Sequence, residues 1–551
     1  MPKQLTLFTN KQHRFLLWLS LAFTLWWLGV GPSDLFALPA FICLLEISLW
    51  IIKGEFYSNF TNLQNLLIHL LNKKKIRTFV IGFFAIQVTL WLLIVICRYY
   101  SFQMSTFDSG IFSNLIYNAT NGEIYSSFLR THSFAIHFSP SLYLLTFFYK
   151  IEPSFHWMMG AKLLSFAVTP IIFYRVLRFE IKDIDQARFW TLILTSGWLI
   201  LYSPVVNSMR FEFQPNSLSL PFVAGFYLMV KKDRWVWAAI LGILLLGFKE
   251  NFGAVLIGVG LHRLLVKERP VQAVFMVFTG IAAIYLITYQ VMPYVQEYKP
   301  VWSIKFIDPF ADPLDKLLYL AKLVVPLGLI PVIFWRNGIM AGPAIGVNLI
   351  SSMPQMYSAH YHYDDMSGTL LFLSLILSIK DLKKNGLPFT LPKTKVIQTV
   401  ILLCIAFGLT ELPRSAPRYF FSSMPQGAHF DLEKEILDFN QEHPNEDLVV
   451  QDFLGPHFMR RNIRVLSQQH TDVVDLDTKI SKVNQQPITY HRCDENFTRI
   501  EPEDHVDYLI LSTLISTYQI PKIDQCIREL ENSSDFQKIP GYQHLIIFKK
   551  I

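Results

Sequence analysis

The stretch FVIGFFAIQVTLWLLIVIC, residues 79–97, contains no charged side chain. A helix of ~20 such residues is long enough to cross a lipid bilayer. The sequence Phe107-Asp108-Ser109-Gly110 follows after a short polar segment. This order predicts a membrane helix with a carboxylate just beyond its end, which makes Asp108 the first candidate for a catalytic residue.

The composition of the whole chain extends this prediction. Of 551 residues, 52% are hydrophobic and 15% are aromatic, which is too apolar for one soluble core. We therefore predict an α-helical, polytopic membrane protein. The net charge of +7 resides in Lys and Arg of short loops, where it sets membrane orientation, so no nucleic-acid partner is expected.

Further apolar runs resemble the first one. Several are shorter than the ~20 residues of a straight crossing. Together they predict about thirteen transmembrane helices, near residues 15–30, 35–52, 79–97, 155–174, 189–204, 218–230, 235–248, 252–265, 271–292, 317–334, 339–349, 370–379 and 396–409. The first has basic residues before it, as a signal peptide has, but no small-residue cleavage pattern after it, so we expect it to be retained.

Orientation follows from the Lys and Arg residues near the ends of these runs, which collect in the cytoplasm. With the N-terminus in the cytoplasm, the basic clusters all lie in inner loops, at Lys73-Lys74-Lys75, Arg77, Arg175, Arg178, Lys182, Lys231-Lys232, Arg234, Arg263, Lys267, Arg269, Arg336, Lys380, Lys383-Lys384, Lys393 and Lys395. This topology requires that residues 142–149 do not cross, and we expect them to form a helix along the outer surface.

Three regions follow from this reading. Residues 1–97 form N-terminal membrane helices, residues 98–410 a membrane core with the outer loop 98–153, and residues 411–551 an α/β domain outside the cytoplasm. The last region contains short apolar strands at 448–450, 463–466, 508–511 and 545–548, with a helix-like segment at 521–531. Its Cys493 and Cys526 are free to form a disulfide in such a compartment, although nothing in the sequence requires one.

Several outer segments carry groups suited to catalysis. Asp108 suits a general base, although the cap of the helix that follows is the simpler role. His132 and His137 precede a proline; they suit phosphate binding or proton transfer, and equally a loop hydrogen bond. Arg210 and Glu212 flank Phe211, where a local ion pair is the simpler interpretation.

Two more segments stand out by their charge. Lys249-Glu250 interrupts an otherwise apolar stretch, residues 235–265, where ionisable groups are costly and normally face a cavity or a partner; a tight turn is the alternative. His360, His362, Asp364 and Asp365 offer ligand-type side chains. Because carboxylates predominate and no Cys is present, Mg²⁺ or Mn²⁺ is the metal such a loop would hold, and many such loops hold none.

Four of these segments resemble motifs of a bacterial multi-spanning family, domain of unknown function 2079. They are Phe107-Asp108-Ser109-Gly110-Ile111-Phe112, His137-Phe138-Ser139-Pro140, Phe211-Glu212-Phe213-Gln214-Pro215 and Phe248-Lys249-Glu250-Asn251. The resemblance extends from about Arg98 through the tail strands. The chain departs from the family pattern in two places, since the family favours His at Glu212 or Phe213 and an acid at Asn251.

The layout is in turn similar to that of GT-C glycosyltransferases, which take sugars from polyprenyl-phosphate donors. The resemblance implies an inverting transferase in the bacterial inner membrane, with Asp108 and Glu250 as catalytic residues. Membrane lipids and a polyprenyl-phosphate sugar donor are the implied partners. The implied substrate-binding residues are His132, His137, Arg210, Glu212, Lys249, His360 and His362, and the candidate metal position stays at Asp364 and Asp365.

Two other classes of function remain open at this point. A transporter or flippase of a lipid-linked envelope precursor places charges near the bilayer midplane and often shows inverted repeats, whereas here the charges gather at one surface and no repeat is visible. A membrane-anchored assembly protein would use the tail to bind a partner. Thirteen helices are more than an anchor requires.

Overall fold

The computed structural model describes residues 10–28, 34–53, 55–128, 131–296, 307–385, 394–458, 462–466, 506–515 and 523–551. The described part is predominantly helical. The N-terminal helices are Asn10–Leu28, Asp34–Ile52, Phe56–Asn72 and Lys74–Tyr100. Helix Phe56–Asn72 was not predicted, because its asparagines and glutamine interrupt the apolar pattern.

The candidate segments lie within or between the central helices. The longer ones are Ile111–Thr120, Phe155–Glu180, Ile184–Ser196, Ser203–Arg210, Leu220–Lys231, Trp235–Leu246, Gly253–Leu265, Pro270–Leu286, Pro313–Val324, Gly342–Leu349, Asp365–Asn385 and Thr394–Thr410. Short helical turns connect them at Thr106–Gly110, Ser133–Ile136, Pro140–Leu145, Thr146–Ile151, Gly197–Leu201, Pro215–Leu218, Glu250–Phe252, Ile287–Val291, Met292–Gln296, Ile330–Ile333, Trp335–Gly338, Ile339–Ala341, Pro354–Tyr357 and His362–Asp364.

Within the described residues, three helices are long and apolar enough to cross a membrane: Lys74–Tyr100, Phe155–Glu180 and Pro270–Val295. A bent pair, Ile184–Leu201 with Ser203–Arg210, would make a fourth. The first of these is lipid-facing in character, since Phe79 is 76% exposed and only 22% of its apolar window is buried. The count of thirteen stays a prediction.

One predicted membrane helix, at residues 317–334, does not form as a single continuous helix. Residues 317–334 are divided between Pro313–Val324 and Ile330–Ile333. Pro326, Gly328 and Pro331 lie at or beside the break, and Leu329 adopts a left-handed conformation with φ of 58°. Proline lacks the backbone donor that an α-helix needs in its interior, so the helix ends there.

The predicted surface helix at residues 142–149 forms as two short turns, Pro140–Leu145 and Thr146–Ile151. Leu142, Leu145 and Tyr149 are buried, whereas Leu144 and Phe147 are exposed. This two-sided distribution is typical of a helix whose apolar face meets lipid at the membrane surface.

At one end of the helical core, buried charges connect three helices. The Glu180 carboxylate pairs with Lys380 Nζ at 2.6 Å and with Lys231 Nζ at 3.6 Å. Lys231 also pairs with Glu268 at 2.7 Å. The ends of helices Phe155–Glu180, Leu220–Lys231 and Asp365–Asn385 are thereby joined.

We expect Glu180→Gln to reduce the stability of the protein in detergent by about 3 kcal/mol, because two cations lose their buried carboxylate. Thermal unfolding measures this. The matched control is Glu531→Gln, whose pair with Lys538 is solvent-exposed and should contribute little. Equal melting temperatures for the two variants would contradict a stabilising role for Glu180.

The tail begins with helices Ala416–Ser422 and Gly427–Glu442 and contains a five-stranded sheet. The strands are β3 (Leu448–Gln451), β4 (Ile463–Leu466), β5 (Tyr508–Leu511), β6 (Phe536–Ile539) and β7 (Ile546–Lys550); β1 (Tyr125–Ser126) and β2 (Thr131–His132) form a separate hairpin in the outer loop. The order is β4-β3-β5-β7-β6, with β3 parallel to both neighbours and β7 antiparallel to both of its own.

The four predicted tail strands are confirmed, and helix Ile523–Glu531 lies in the predicted helical segment. Strand β6 was missed because its central residues Gln537 and Lys538 are exposed and polar, as suits an edge strand. Cys493 and the side chain of Cys526 lie outside the described residues. Helix Asp452–His457, which directly follows β3, contacts the turn Thr106–Gly110 and helix Ile111–Thr120.

Candidate active site

Asp108 lies in a single π-helical turn, Thr106–Gly110, which we call the aspartate turn. Its carboxylate is half-buried and accepts a hydrogen bond from the side-chain amide of Gln214. The helix that follows, Ile111–Thr120, has Gly110 at its N-cap and no side-chain capping bond. Asp108 is therefore not a helix cap, and its carboxylate is held by a residue from another of the four motifs.

Glu212 holds the backbone of the aspartate turn. Its buried carboxylate accepts hydrogen bonds from Ser105 N at 2.8 Å, from Ser105 Oγ at 3.0 Å and from Ser109 N at 3.4 Å. The expected ion pair with Arg210 is wrong, because the Arg210 guanidinium turns outward and donates to Tyr419 Oη at 2.8 Å. Glu212 thus orders the backbone around Asp108, and Arg210 joins the core to the tail.

Lys162 is a functional candidate that the sequence analysis missed. It lies fully buried in helix Phe155–Glu180, and its Nζ donates to Phe211 O at 2.6 Å and to Glu212 O at 2.9 Å. A lysine inside an apolar membrane helix is unusual, and that was the available signal. Lys162 supports the loop that presents Glu212 and Gln214.

Lys249 and Glu250 follow helix Trp235–Leu246 in a tight turn, as the simpler interpretation predicted. The outer loop packs directly on this turn: Ser141 N donates to Gly247 O at 2.8 Å and Ser139 Oγ to Phe248 O at 3.0 Å. Glu250 reaches back to the loop and binds His137 Nδ1 at 3.0 Å and Phe138 N at 3.3 Å. Two of the predicted motifs are thus joined.

The ammonium group of Lys249 is the most unusual charge in the site. The residue is 7% exposed, and within the described part of the chain its Nζ has no hydrogen-bond acceptor or ion-pair partner. It lies 5.7 Å from the ring centroid of Tyr363. Burial lowers the pKa of Lys249, while Glu250, Asp108 and nearby Asp365 oppose that shift. A largely buried lysine whose ammonium group has no acceptor in the described residues is suited to bind an anion.

The electrostatics separate the two predicted catalytic carboxylates. Burial, assisted by Glu212 and Asp452, raises the pKa of Asp108 to about 8, although Lys249 and the Gln214 hydrogen bond oppose the increase. Burial also raises the pKa of Glu250, but His137 and Lys249 outweigh it and the pKa falls to about 2. Asp108 therefore exchanges its proton near neutral pH, whereas Glu250 remains ionised.

The other histidines occupy different environments. His132 Nδ1 accepts from Phe134 N at 3.2 Å and caps the short helix Ser133–Ile136. His360 is exposed beside Asn207. His362 is buried against Phe211, with 5.2 Å between ring centroids, and its Nδ1 has no hydrogen-bond partner among the described residues. Burial and Lys249 lower the pKa of His362, so the ring is neutral.

The structure gives no support to a metal at Asp364 and Asp365. Asp364 accepts hydrogen bonds from Tyr319 Oη at 2.6 Å and from Ser367 Oγ at 3.1 Å, and Asp365 accepts one from Ser208. Among the residues described, no group of three or more His, Cys, Asp or Glu side chains is arranged to hold a metal ion. The donors around Asp364 fit a structural carboxylate rather than a Mg²⁺ or Mn²⁺ ligand.

The overall fold has known relatives among solved structures. The crystal structure of ArnT from Cupriavidus metallidurans bound to undecaprenyl phosphate matches with a TM-score of 0.51 at 12% identity, over 86% of this chain and 98% of that one. The apo ArnT structure matches with a TM-score of 0.50 at 10% identity over the same shares. At these identities the likeness shows the fold alone, and at that level the predicted similarity of layout is confirmed.

No curated protein matches the sequence. The model of one family does, over residues 98–431, which include all four motifs and helix Ala416–Ser422. The matched region is more than half of the chain and begins at the residue where the resemblance was expected to begin, but it ends before the tail strands to which the resemblance was expected to extend. The chain belongs to the predicted membrane protein family DUF2079.

Proposed function

We propose that the protein is an inverting membrane glycosyltransferase that uses a polyprenyl-phosphate-linked sugar donor. The observation that carries the proposal is that Asp108 and Lys249 lie within electrostatic range of each other, so that each charge shifts the pKa of the other. One is a carboxylate that loses its proton near neutral pH, and the other is an enclosed cation without an acceptor in the described residues. A displacement at a sugar phosphate needs both.

The reaction assigns a role to each group. The Asp108 carboxylate removes the proton of an acceptor hydroxyl as that oxygen attacks the anomeric carbon of the donor. The bond between the anomeric carbon and the phosphate oxygen breaks, and the electron pair leaves with the polyprenyl phosphate. Because attack and departure occur on opposite faces of the sugar, the anomeric configuration is inverted.

Lys249 stabilises the negative charge that grows on the departing phosphate. The isoprenoid tail of the donor stays in the bilayer, so its phosphate is presented at the membrane surface, at the ends of spanning helices. A shared fold with ArnT, which binds undecaprenyl phosphate in the matched structure, supports this class of ligand. Glu250 and His137 join the outer loop to the Lys249 turn and thereby orient the ammonium group.

We also propose that the site faces the outside of the cell, with thirteen spans, a cytoplasmic N-terminus and the tail outside. Lys162 and Glu180 lie 18 residues apart on one helix, about 27 Å along its axis. Lys162 supports the site, whereas Glu180 lies in the charge network with Lys231 and Lys380. Because lysines collect at cytoplasmic ends, the opposite end of the helix is the outer one.

This orientation is tested by fusing, after Ile551, a reporter that is active only outside the cytoplasm. We expect the fusion to be active; an intact but inactive fusion would reverse the orientation.

The test of the function is a transfer assay with the purified protein in detergent. Polyprenyl-phosphate sugars labelled in the sugar are supplied with a membrane extract as the source of acceptor. We expect the labelled sugar to leave the lipid and one free polyprenyl phosphate to form for each sugar transferred. NMR of the product should show that the anomeric configuration of the sugar is inverted relative to the donor. Label that stays on the lipid, together with movement of intact donor across liposomes, would reject the transferase and identify a flippase.

The pH dependence of transfer provides a further prediction. Because only the ionised form of Asp108 accepts a proton and the pKa of this group in the free protein is raised to about 8, kcat/KM for the donor should rise through pH 8 to a plateau. A carboxylate with an ordinary pKa would already be at its plateau at pH 6. A rate that is flat from pH 6 to 9 would therefore exclude Asp108 as the titrating base.

A further inference from the structure

The tail reaches the aspartate turn through helix Asp452–His457. Asp452 is fully buried, and its Oδ1 accepts a hydrogen bond from Thr106 N at 2.8 Å. The Thr106 hydroxyl donates in return to the backbone oxygen of Asp452. Since Thr106 is the first residue of the aspartate turn, a carboxylate more than 300 residues away in sequence holds the backbone that carries Asp108.

The contact between the two segments leaves no space for a larger residue. A Cβ added at Gly455 would lie 2.0 Å from Thr106 Oγ1, well inside van der Waals contact. Only glycine lets the backbone of the tail approach this closely. The Gly455 backbone therefore packs directly against the side chain of Thr106, whose hydroxyl also donates to Asp452 O.

Helix Asp452–His457 also contacts the segment that precedes the aspartate turn. The His457 ring is stacked between Tyr99 and Phe102, with centroids 4.1 Å and 4.0 Å away, and its Nδ1 pairs with Glu433 at 2.5 Å. Phe102 has a φ of 53°, a left-handed conformation that is unfavourable for a bulky side chain. Such a conformation persists only where surrounding contacts maintain it, and here the tail supplies them.

We infer that Asp452 is a positioning residue for the transfer reaction, so that the tail is an integral part of the active site. Asp452 fixes the backbone donor at the start of the aspartate turn, and through it the direction of the Asp108 carboxylate. The inference rests on the proposed function for its kinetic consequence. The structural consequence, a turn ordered by the tail, can be measured without any transfer activity.

The kinetic test compares Asp452→Ala with Asp452→Asn in the full-length protein. Asparagine keeps an oxygen that accepts from Thr106 N, whereas alanine keeps none. We expect Asp452→Ala to lower kcat by about 10- to 100-fold with KM nearly unchanged, because a base displaced by about 1 Å loses that much rate. Asp452→Asn should retain most of the kcat.

Asp452→Asn carries a second signature. Burial raises the pKa of Asp452 itself to about 7, so near pH 8 it is ionised and contributes to the raised pKa of Asp108; removing this charge should move the midpoint of the pH profile to lower pH. The matched control is Glu435→Ala, which removes another tail carboxylate that accepts from backbone amides, at His544 and Leu545, away from the turn. It should change neither kcat nor the pH midpoint.

Three results would overturn the inference: an unchanged kcat in Asp452→Ala, an equal loss in Asp452→Asn, or an equal loss in Glu435→Ala. The second would mean that the charge itself is required, and the third that any weakening of the tail has the same effect. Hydrogen exchange of the peptide covering residues 101–112 is the independent readout, expected to speed up in Asp452→Ala alone. If hydrogen exchange speeds up in Asp452→Ala alone but the wild-type protein transfers no sugar, the proposed function is rejected. The positioning contact between Asp452 and Thr106 is supported in that case.

Discussion

Asp108→Asn should lower the rate of sugar transfer by about 10²- to 10⁴-fold, the usual contribution of a positioned general base. Asparagine has the size of aspartate and keeps an oxygen that can accept from Gln214, so the aspartate turn should remain folded. Only the ability to take up a proton is lost. The residual activity should also lose the rise through pH 8.

Measurement of kcat for Asp108→Asn and wild type, with donor and acceptor both saturating, checks this expectation. The control is Glu152→Gln, an exposed carboxylate of the same outer loop. It should transfer at the wild-type rate. Equal transfer by Asp108→Asn and wild type would reject Asp108 as the base, whatever the behaviour of the control.

Lys249→Met should lower kcat by about 10²- to 10³-fold, which is typical when one stabilising group for developing negative charge is removed. The midpoint of the pH profile should also move up, because Lys249 lowers the pKa of Asp108. This direction is opposite to that expected for Asp452→Asn. The pair of variants therefore tests whether both charges act on the same titrating group.

The stability of Lys249→Met should fall less than that of a lysine whose hydrogen bonds hold the fold. The Lys249 ammonium group has no hydrogen-bond acceptor in the described residues, so an apolar side chain of similar length removes no hydrogen bond and should change the melting temperature little. Lys162→Met is the matched control. It leaves the carbonyls of Phe211 and Glu212 without their donor and should lower the melting temperature. Equal destabilisation by both would indicate that Lys249 is a structural lysine.

Two of the four motifs were recognisable in the sequence because they are locally anomalous. A carboxylate follows a membrane helix at Asp108, and two charges interrupt an apolar stretch at Lys249-Glu250. Local anomalies of this kind are costly in a membrane protein and therefore indicate a site. Their partners could not be read in the same way. The sequence suggested Arg210 for Glu212, yet the carboxylate binds Ser105 and Ser109.

The loop of histidines and acids shows how little composition says about direction. Its composition, with His360, His362, Asp364 and Asp365 close together, suggested shared coordination of a metal. In the fold these side chains diverge: His360 is exposed and Asp364 binds Tyr319. Proximity in sequence does not determine direction, because the chain passes from a short 3₁₀ turn into helix Asp365–Asn385 within this segment.

The sequence alone determined the membrane class and the tail strands, because the length and spacing of apolar runs are properties of neighbouring residues. Tertiary structure decided the rest: that Lys162 supports the loop of Glu212, that Asp452 holds the aspartate turn, and that the described part offers Lys249 no acceptor. These are contacts between residues far apart in the chain. Packing of helices and tail selects them, and no local pattern records which distant backbone group a buried charge will meet.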